Sequence, residues 1–270
     1  MRVYIMTDLE GVSGVHDIAN WCERKSPNYL QAKELLTLEV NAAIAGFRAA
    51  GATDILVADG HGCGGILPGR LAGGVELVTE WAPGAAYPFA LDRRRFDVAA
   101  WVGQHPKAGT VGGHLCHTNT LDVLDLRLNG LSVGEFGEMA YCAGELGVRV
   151  VFAAGCEAFC REAAALVPGI ETVAVKRGTQ TTSGDELPRR TYEWHNTAAV
   201  HVPPEEARRR IQAGAQRALE RAQSEGFGQV SLRAPFTAEM RLRGDGARPP
   251  HALRKSHPSS VIALLNAPWE

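Results

Sequence analysis

Residues 1–12 read Met-Arg-Val-Tyr-Ile-Met-Thr-Asp-Leu-Glu-Gly-Val. Val3 to Met6 is a short apolar run that stops at polar turn residues, the pattern of a strand buried on both faces of a parallel sheet. One basic residue and so short an apolar run do not make an export signal. The stretch is therefore expected to be a first strand, and the protein cytoplasmic. Four more runs of this kind follow: Ile55 to Ala58, Val98 to Val102, Arg149 to Ala153 and Thr172 to Val175. Amphipathic stretches lie between them. Ala32 to Ala50 is stopped by Gly51, Gly137 to Leu146 by Gly147, and Cys156 to Leu166 is ended by Pro168. A glycine just past a helix supplies the left-handed conformation that closes it. Strands alternating with helices predict an α/β fold, a mostly parallel sheet flanked by helices, over residues 1–180.

Residues 181–270 are expected to form a smaller C-terminal α+β portion. Pro203 to Ser224 reads as a helix opened by prolines and acids. Gln229 to Leu232 and Met240 to Arg243 read as strands. Gly244 to Ser260, rich in Pro, Arg and His and without periodicity, reads as a loop, and no last helix is expected after it. One hairpin interrupts the alternation earlier: Val123 to Leu128 and Leu131 to Val133 flank Asn129-Gly130, a pair suited to a type I′ turn.

The 270 residues suffice for one large α/β unit or a unit with an appended lobe. Hydrophobic residues make up 45% and charged residues 21%, ordinary for a globular protein. A formal net charge of -2 gives no electrostatic reason for a nucleic acid or anionic membrane partner. The arginine runs at 93–95 and 208–210 read as solvated faces. Nothing approaches the roughly 20 apolar residues of a membrane span. The six cysteines are scattered without paired spacing and read as free thiols. Cys156 and Cys160, four apart, supply only half a tetrahedral thiolate site.

The metal-capable residues fall at strand ends. Asp8 and Glu10 follow the first strand, Asp59 and His61 the second, and His105 the third. In a parallel sheet all carboxyl ends lie on one edge, where ligand sites form. Asp8 alone could cap a turn, Asp59 before Gly60 is a natural turn former, and His61 or His105 alone could be a loop histidine. Three strand ends delivering such residues to one crevice is the stronger signal, with Asp59 in a supporting role at most. Carboxylates and imidazoles without thiolates suit zinc, manganese or cobalt.

Four motifs in order resemble the zinc D-aminopeptidases of the bacterial dipeptide-transport (DppA) type. They are Asp8-Leu9-Glu10-Gly11-Val12-Ser13-Gly14, Asp59-Gly60-His61-Gly62, Gly103 to Thr110 with His117-Thr118 after it, and Val133-Gly134-Glu135-Phe136-Gly137. Their spacing agrees over about residues 1–180, and a weaker match around Val173 to Lys176 and the helix from Pro203 continues to about Leu219. The resemblance implies Asp8, Glu10, His61, His105 and Glu135 as ligands of a two-zinc centre. It implies His117 as the nearby histidine that assists catalysis, a small peptide as substrate, and a homo-oligomer, a decamer. Five ligands are too many for one tetrahedral zinc but suit two ions bridged by a carboxylate, roughly 3.5–4 Å apart. Glu135 and His117 rest on the resemblance; the residues alone leave Glu135 as a helix-start acid and do not choose between His117 and His114.

The sequence departs from the family pattern in several places. Pro106 stands where alanine is usual, Cys156-Glu157 replaces an acidic turn, and 178–201 and the chain end diverge. The expected activity is removal of the N-terminal residue from short peptides or amino-acid amides. The competing readings are a metal-dependent phosphoesterase, although no phosphate loop is present, a thiol amidase using Cys116 beside His117 or Cys63 near His61, and an inactive metal-binding relative.

Overall fold

The computed structural model describes residues 1–79, 86–244 and 248–270. The first apolar run is β1 (Arg2–Thr7), followed by a short helix α1 (Ile18–Trp21) and the long α2 (Tyr29–Ala49). Next come β2 (Asp54–Asp59), the short β3 (Glu76–Val78) and β4 (Val98–Gln104). A hairpin of β5 (Val123–Leu128) and β6 (Leu131–Val133) leads into α3 (Glu135–Glu145). Then β7 (Arg149–Cys156), α4 (Glu157–Leu166), β8 (Glu171–Gly178), α5 (Arg189–His195) and β9 (Ala199–His201) follow. The chain closes with α6 (Pro204–Ser224), β10 (Phe236–Leu242), β11 (His251–His257) and α7 (Val261–Asn266).

The larger sheet has the order β3-β2-β1-β4-β7-β8-β9. All its pairings are parallel except β8 with β9. The chain runs outward from β1 through β2 and β3, then returns to lay β4 on the other side of β1. That reversal opens a crevice at the carboxyl ends of β1 and β4, where open α/β sheets bind ligands. Successive side chains of a strand point to opposite faces. Val3 and Ile5 therefore pack with Leu36, Val40 and Phe47 of α2 and Ile211 and Ala215 of α6. Tyr4 and Met6 pack on the other face with Phe136 and Met139 of α3, Phe159 of α4 and Leu264 of α7. Both faces are covered, which is why the strand runs are almost wholly apolar.

A second, antiparallel sheet has the order β11-β10-β5-β6. Its hairpin turn holds Asn129 at φ 48° and Gly130 at φ 80°, as a type I′ turn requires. The mostly parallel sheet with flanking helices is the expected fold class; the smaller sheet, however, draws half of its strands from residues 123–133.

Three expectations for the last third are corrected. Gln229 to Leu232 forms no strand: β7 is already flanked by β4 and β8, and Gly228 offers only a single carbonyl to the Val150 amide, at 2.8 Å. The segment expected as a loop contains β11, with residues 245–247 outside the described residues. Its inward position is Lys255, which covers apolar surface with its stem and donates Nζ to the Leu265 carbonyl at 2.7 Å, so the strand carries no aliphatic signature. The chain also has a last helix, α7, whose Ser260 cap accepts the Ala263 amide at 3.0 Å. The arginine runs are paired surfaces, Arg94 with Asp54 and Glu76, and Arg209 with Glu205 and Glu206.

Close approach of the ends of β1 and β4 forms the crevice. The Gly11 amide bonds the Gly103 carbonyl at 2.7 Å. Gly103 has φ +79°, and a Cβ there would lie 2.0 Å from the Asp8 carbonyl oxygen. Gly103→Ala should therefore destabilise the protein by at least about 2 kcal/mol in urea unfolding. An unchanged midpoint would show that the two strand ends are not in this contact.

Candidate metal centre

Asp8 and Glu10 leave β1 on a turn that is buried despite its charge, at 6% and 4% exposure. His61 follows β2 on a loop shaped by Asp59, whose carboxylate accepts the Gly65 amide at 2.7 Å and the Ile66 amide at 3.0 Å. His105 follows β4. Glu135 is the first residue of α3, carried there by the hairpin of the second sheet. His117 lies on the loop between β4 and β5, its ring stacked on His105 with centroids 3.9 Å apart.

All six expected residues meet in one place. His61 Nδ1 lies 3.1 Å from Asp8 Oδ1 and 3.2 Å from Glu10 Oε2. His105 Nε2 lies 3.1 Å from Asp8 Oδ2 and 3.5 Å from Glu135 Oε1. His117 Nε2 lies 3.9 Å from Glu135 Oε1. Asp8 thus stands between two groups, one oxygen toward His61 and the other toward His105.

The opposite ring nitrogens reveal what these contacts are for. His61 Nε2 lies 2.7 Å from the Cys22 carbonyl, His105 Nδ1 3.0 Å from the Pro106 carbonyl, and His117 Nδ1 2.9 Å from the Leu115 carbonyl. A carbonyl only accepts, so each of these nitrogens carries the proton in the neutral ring. The other nitrogen then points a lone pair at carboxylate oxygens. Lone pairs facing lone pairs require a cation between them or a second proton on the ring. Backbone carbonyls fixing the tautomer of a histidine are the usual surroundings of a metal ligand. Glu10 Oε2 is buried without a hydrogen-bond partner, as an atom reserved for an ion would be. Among the described residues two donor groups are tight enough to hold one: Asp8, Glu10 and His105, and His105, His117 and Glu135. The residues therefore fit divalent metal, with oxygen and imidazole donors suited to zinc, manganese or cobalt. Pro106 in place of alanine leaves this intact, because the atom used is its carbonyl oxygen.

The charges follow the same logic. Burial alone would raise the Asp8 carboxyl, but hydrogen bonds to His105 and His61 hold it well below the carboxylate range. Burial would likewise raise Glu135, and the His105 charge and hydrogen bond bring it down to about 2. Burial would lower His61 and His105; Glu10 raises the first, and Glu135 with Asp8 the second, well above the ordinary imidazole value. Without an ion the cluster balances itself with protons, and an ion entering it must displace them.

Several supporting residues carried no sequence signal of their own. Gln104 Nε2 donates to Asp8 Oδ2 at 3.0 Å, and the Asn119 amide to Glu135 Oε1 at 2.8 Å. Behind the turn that bears Asp8 and Glu10, Glu39 of α2 accepts the Ser13 amide at 2.9 Å. Lys176 of β8 donates to the Val15 carbonyl at 3.1 Å, and His201 of β9 accepts the Gly14 amide at 3.1 Å. A lysine directly after the apolar run Val173 to Val175 is the one hint the sequence contains of this rear support. His114 is fully buried beside His16 and His201, away from the carboxylates, which separates it from His117. Cys116 is buried, its thiol pushed well up by burial, and it donates to the Thr110 carbonyl, which removes it as a nucleophile. Glu157 pairs with Arg161 on the surface.

The model of the D-aminopeptidase peptidases matches residues 1–247. The chain belongs to this family. A D-aminopeptidase of Bacillus subtilis (strain 168) is 31% identical over 181 residues, which cover 66% of this chain and 64% of the relative. Among solved structures, the Zn-dependent D-aminopeptidase DppA from Bacillus subtilis, a self-compartmentalizing protease, superimposes with a TM-score of 0.83. That match covers 98% of this chain and 94% of the other at 23% identity, and it shows that the two share a fold.

The rear support gives a pH signature. Burial raises Glu39 to about 7, with the Ser13 amide and Lys176 opposing it. The folded protein therefore holds a proton that the unfolded chain releases near pH 4.5. The contribution of this group is fully present below that pH and is lost as pH rises through about 7, at up to about 1.4 kcal/mol per unit. Glu39→Gln keeps the acceptor for Ser13 and removes the titration. Its stability relative to wild type should rise between pH 4.5 and 7 in urea titrations of metal-free protein. A difference that stays flat with pH would count against the buried carboxyl.

Proposed function

We propose that this chain is a metal-dependent aminopeptidase that removes the N-terminal residue from short peptides or amino-acid amides in the manner of a D-aminopeptidase. The observation that carries the reading is the set of three histidines, each giving one ring N–H to a backbone carbonyl and turning the other nitrogen to the carboxylates. Membership in the D-aminopeptidase family supports the same chemistry. Asp8, Glu10, His61, His105 and Glu135 would hold two ions, zinc in the first instance. Bound ions of this kind lower the pKa of a water and polarise a carbonyl.

The protein residues supply orientation and proton transfer. Gln104 fixes the Asp8 carboxylate, and the Asn119 amide fixes Glu135. His117, with Nδ1 committed to Leu115, presents Nε2 to the cavity, where it takes a proton from the attacking water or returns one to the leaving amine. Among the described residues no lysine or arginine lines the cavity, which favours a neutral amide over a phosphoester.

The relative of known fold compartmentalizes itself, and we propose that this chain also forms a homo-oligomer, with a decamer as the specific expectation. No helix among the described residues is long and apolar enough to cross a membrane, and we keep a cytoplasmic location as part of the proposal. We also take residues 1–180 as the catalytic portion and 181–270 as a portion packed onto it.

Chelator-treated protein should lose amide hydrolysis and regain it with zinc, cobalt or manganese; full activity in demonstrably metal-free protein would overturn the reading. His117→Ala should lower kcat by about 10²–10⁴-fold with metal content unchanged. Glu135→Gln should lower the metal content measured by elemental analysis, and retention of two tightly bound ions would remove Glu135 from the ligand set.

A further inference from the structure

The carboxylates and imidazoles make up only part of the cavity lining. Met6 of β1, Tyr87, Phe89, Trp101 of β4 and Met139 of α3 form an apolar part of it. The cavity volume is about 300 Å³, the small end of ligand pockets. Ligand binding to an ion needs none of these side chains.

The wall is rigid. Trp101 packs edge-on against Phe136 at 5.0 Å, and Tyr87 against Phe89 at 5.1 Å. Asn266 of α7 clamps Tyr87 twice, donating to its carbonyl at 2.8 Å and accepting its amide at 3.2 Å. The Tyr4 hydroxyl donates to the Phe89 carbonyl at 2.9 Å. Phe89 and Ala90 are held at φ 51° and 64°, a backbone region that side-chain-bearing residues rarely adopt. Such conformations persist where surrounding contacts over-determine them, and they cluster at ligand clamps.

We propose that this wall is the subsite for the side chain of the residue being released, and that it selects bulky apolar side chains, of leucine or phenylalanine type, over alanine. The inference rests on the aminopeptidase reading and names its substrate class. A residue whose carbonyl and amine lie at the carboxylates has, in a cavity this small, the apolar wall within reach of its side chain. There an alanine methyl leaves the aromatic faces uncovered, whereas a larger apolar group removes their surface and its own from water. The wall side chains carry no charge with which to meet an acidic or basic substrate side chain.

The experiment uses metal-loaded enzyme and the D- and L-amides of alanine, leucine and phenylalanine, with kcat/KM measured for each. For the preferred enantiomer, leucine and phenylalanine should exceed alanine by at least about tenfold, the discrimination an apolar pocket provides for added methylenes. Phe89→Ala and Met139→Ala should each narrow that ratio severalfold. Calorimetric binding of the free amino acids provides a second readout, with phenylalanine expected to bind more tightly than alanine. Equal treatment of alanine and phenylalanine in both readouts would overturn the subsite. Preferential binding of phenylalanine without hydrolysis of any amide would support the subsite and overturn the aminopeptidase reading instead.

Discussion

Asp8, Glu10 and Glu135 are three carboxylates gathered into a largely buried cleft, and their mutual repulsion is the condition that the surrounding structure answers. Their burial leaves water less able to screen them. The answer is three imidazoles within 4 Å, and beyond them backbone carbonyls that decide which ring nitrogen faces inward. Bringing the charges together also required β1 and β4 to end within van der Waals contact, which only glycine at 103 allows. The turn bearing Asp8 and Glu10 is then held from behind by Glu39, Lys176 and His201, on three different elements. Charge, backbone approach and rear support form a single arrangement around one electrostatic problem.

Much of this was legible in the sequence because parallel strands advertise themselves. Runs such as Val98 to Val102 are apolar on both faces, and the residues just after them must share an edge. That reasoning located Asp8, Glu10, His61 and His105 without any knowledge of relatives, and the Asn129-Gly130 hairpin was readable from turn chemistry alone. Glu135 and His117 were not readable in this way. One begins a helix, where an acid already has a reason to be, and the other sits on a loop whose path depends on tertiary contacts. Strand β11 was missed because its burial falls on Lys255, whose long stem does the work usually given to valine. The apolar wall stayed hidden because Trp101 and Met139 look like ordinary core residues, and only the fold shows which core side chains face an opening.

The two sides of the cavity have different origins. The polar side comes mostly from turns after strands of the larger sheet. On the apolar side, Tyr87 is held in part by the last helix, since Asn266 bonds its backbone. The chemistry and the shape of the site can therefore vary separately, because changes near residue 266 would remodel the wall and leave the carboxylates where they are.

The pairing of β5 with β10 sets an order in time. Glu135 rides on the hairpin of β5 and β6, and β5 lies against a strand about 110 residues further along, as the partners Leu128 and Ala238 show. An isolated hairpin is marginal in water. During synthesis, Asp8, Glu10, His61 and His105 can converge once β4 has emerged, whereas Glu135 gains a firm seat only after β10 and β11 have been made. The nascent chain can thus pass through a stage in which these four residues are together and Glu135 has not yet joined them.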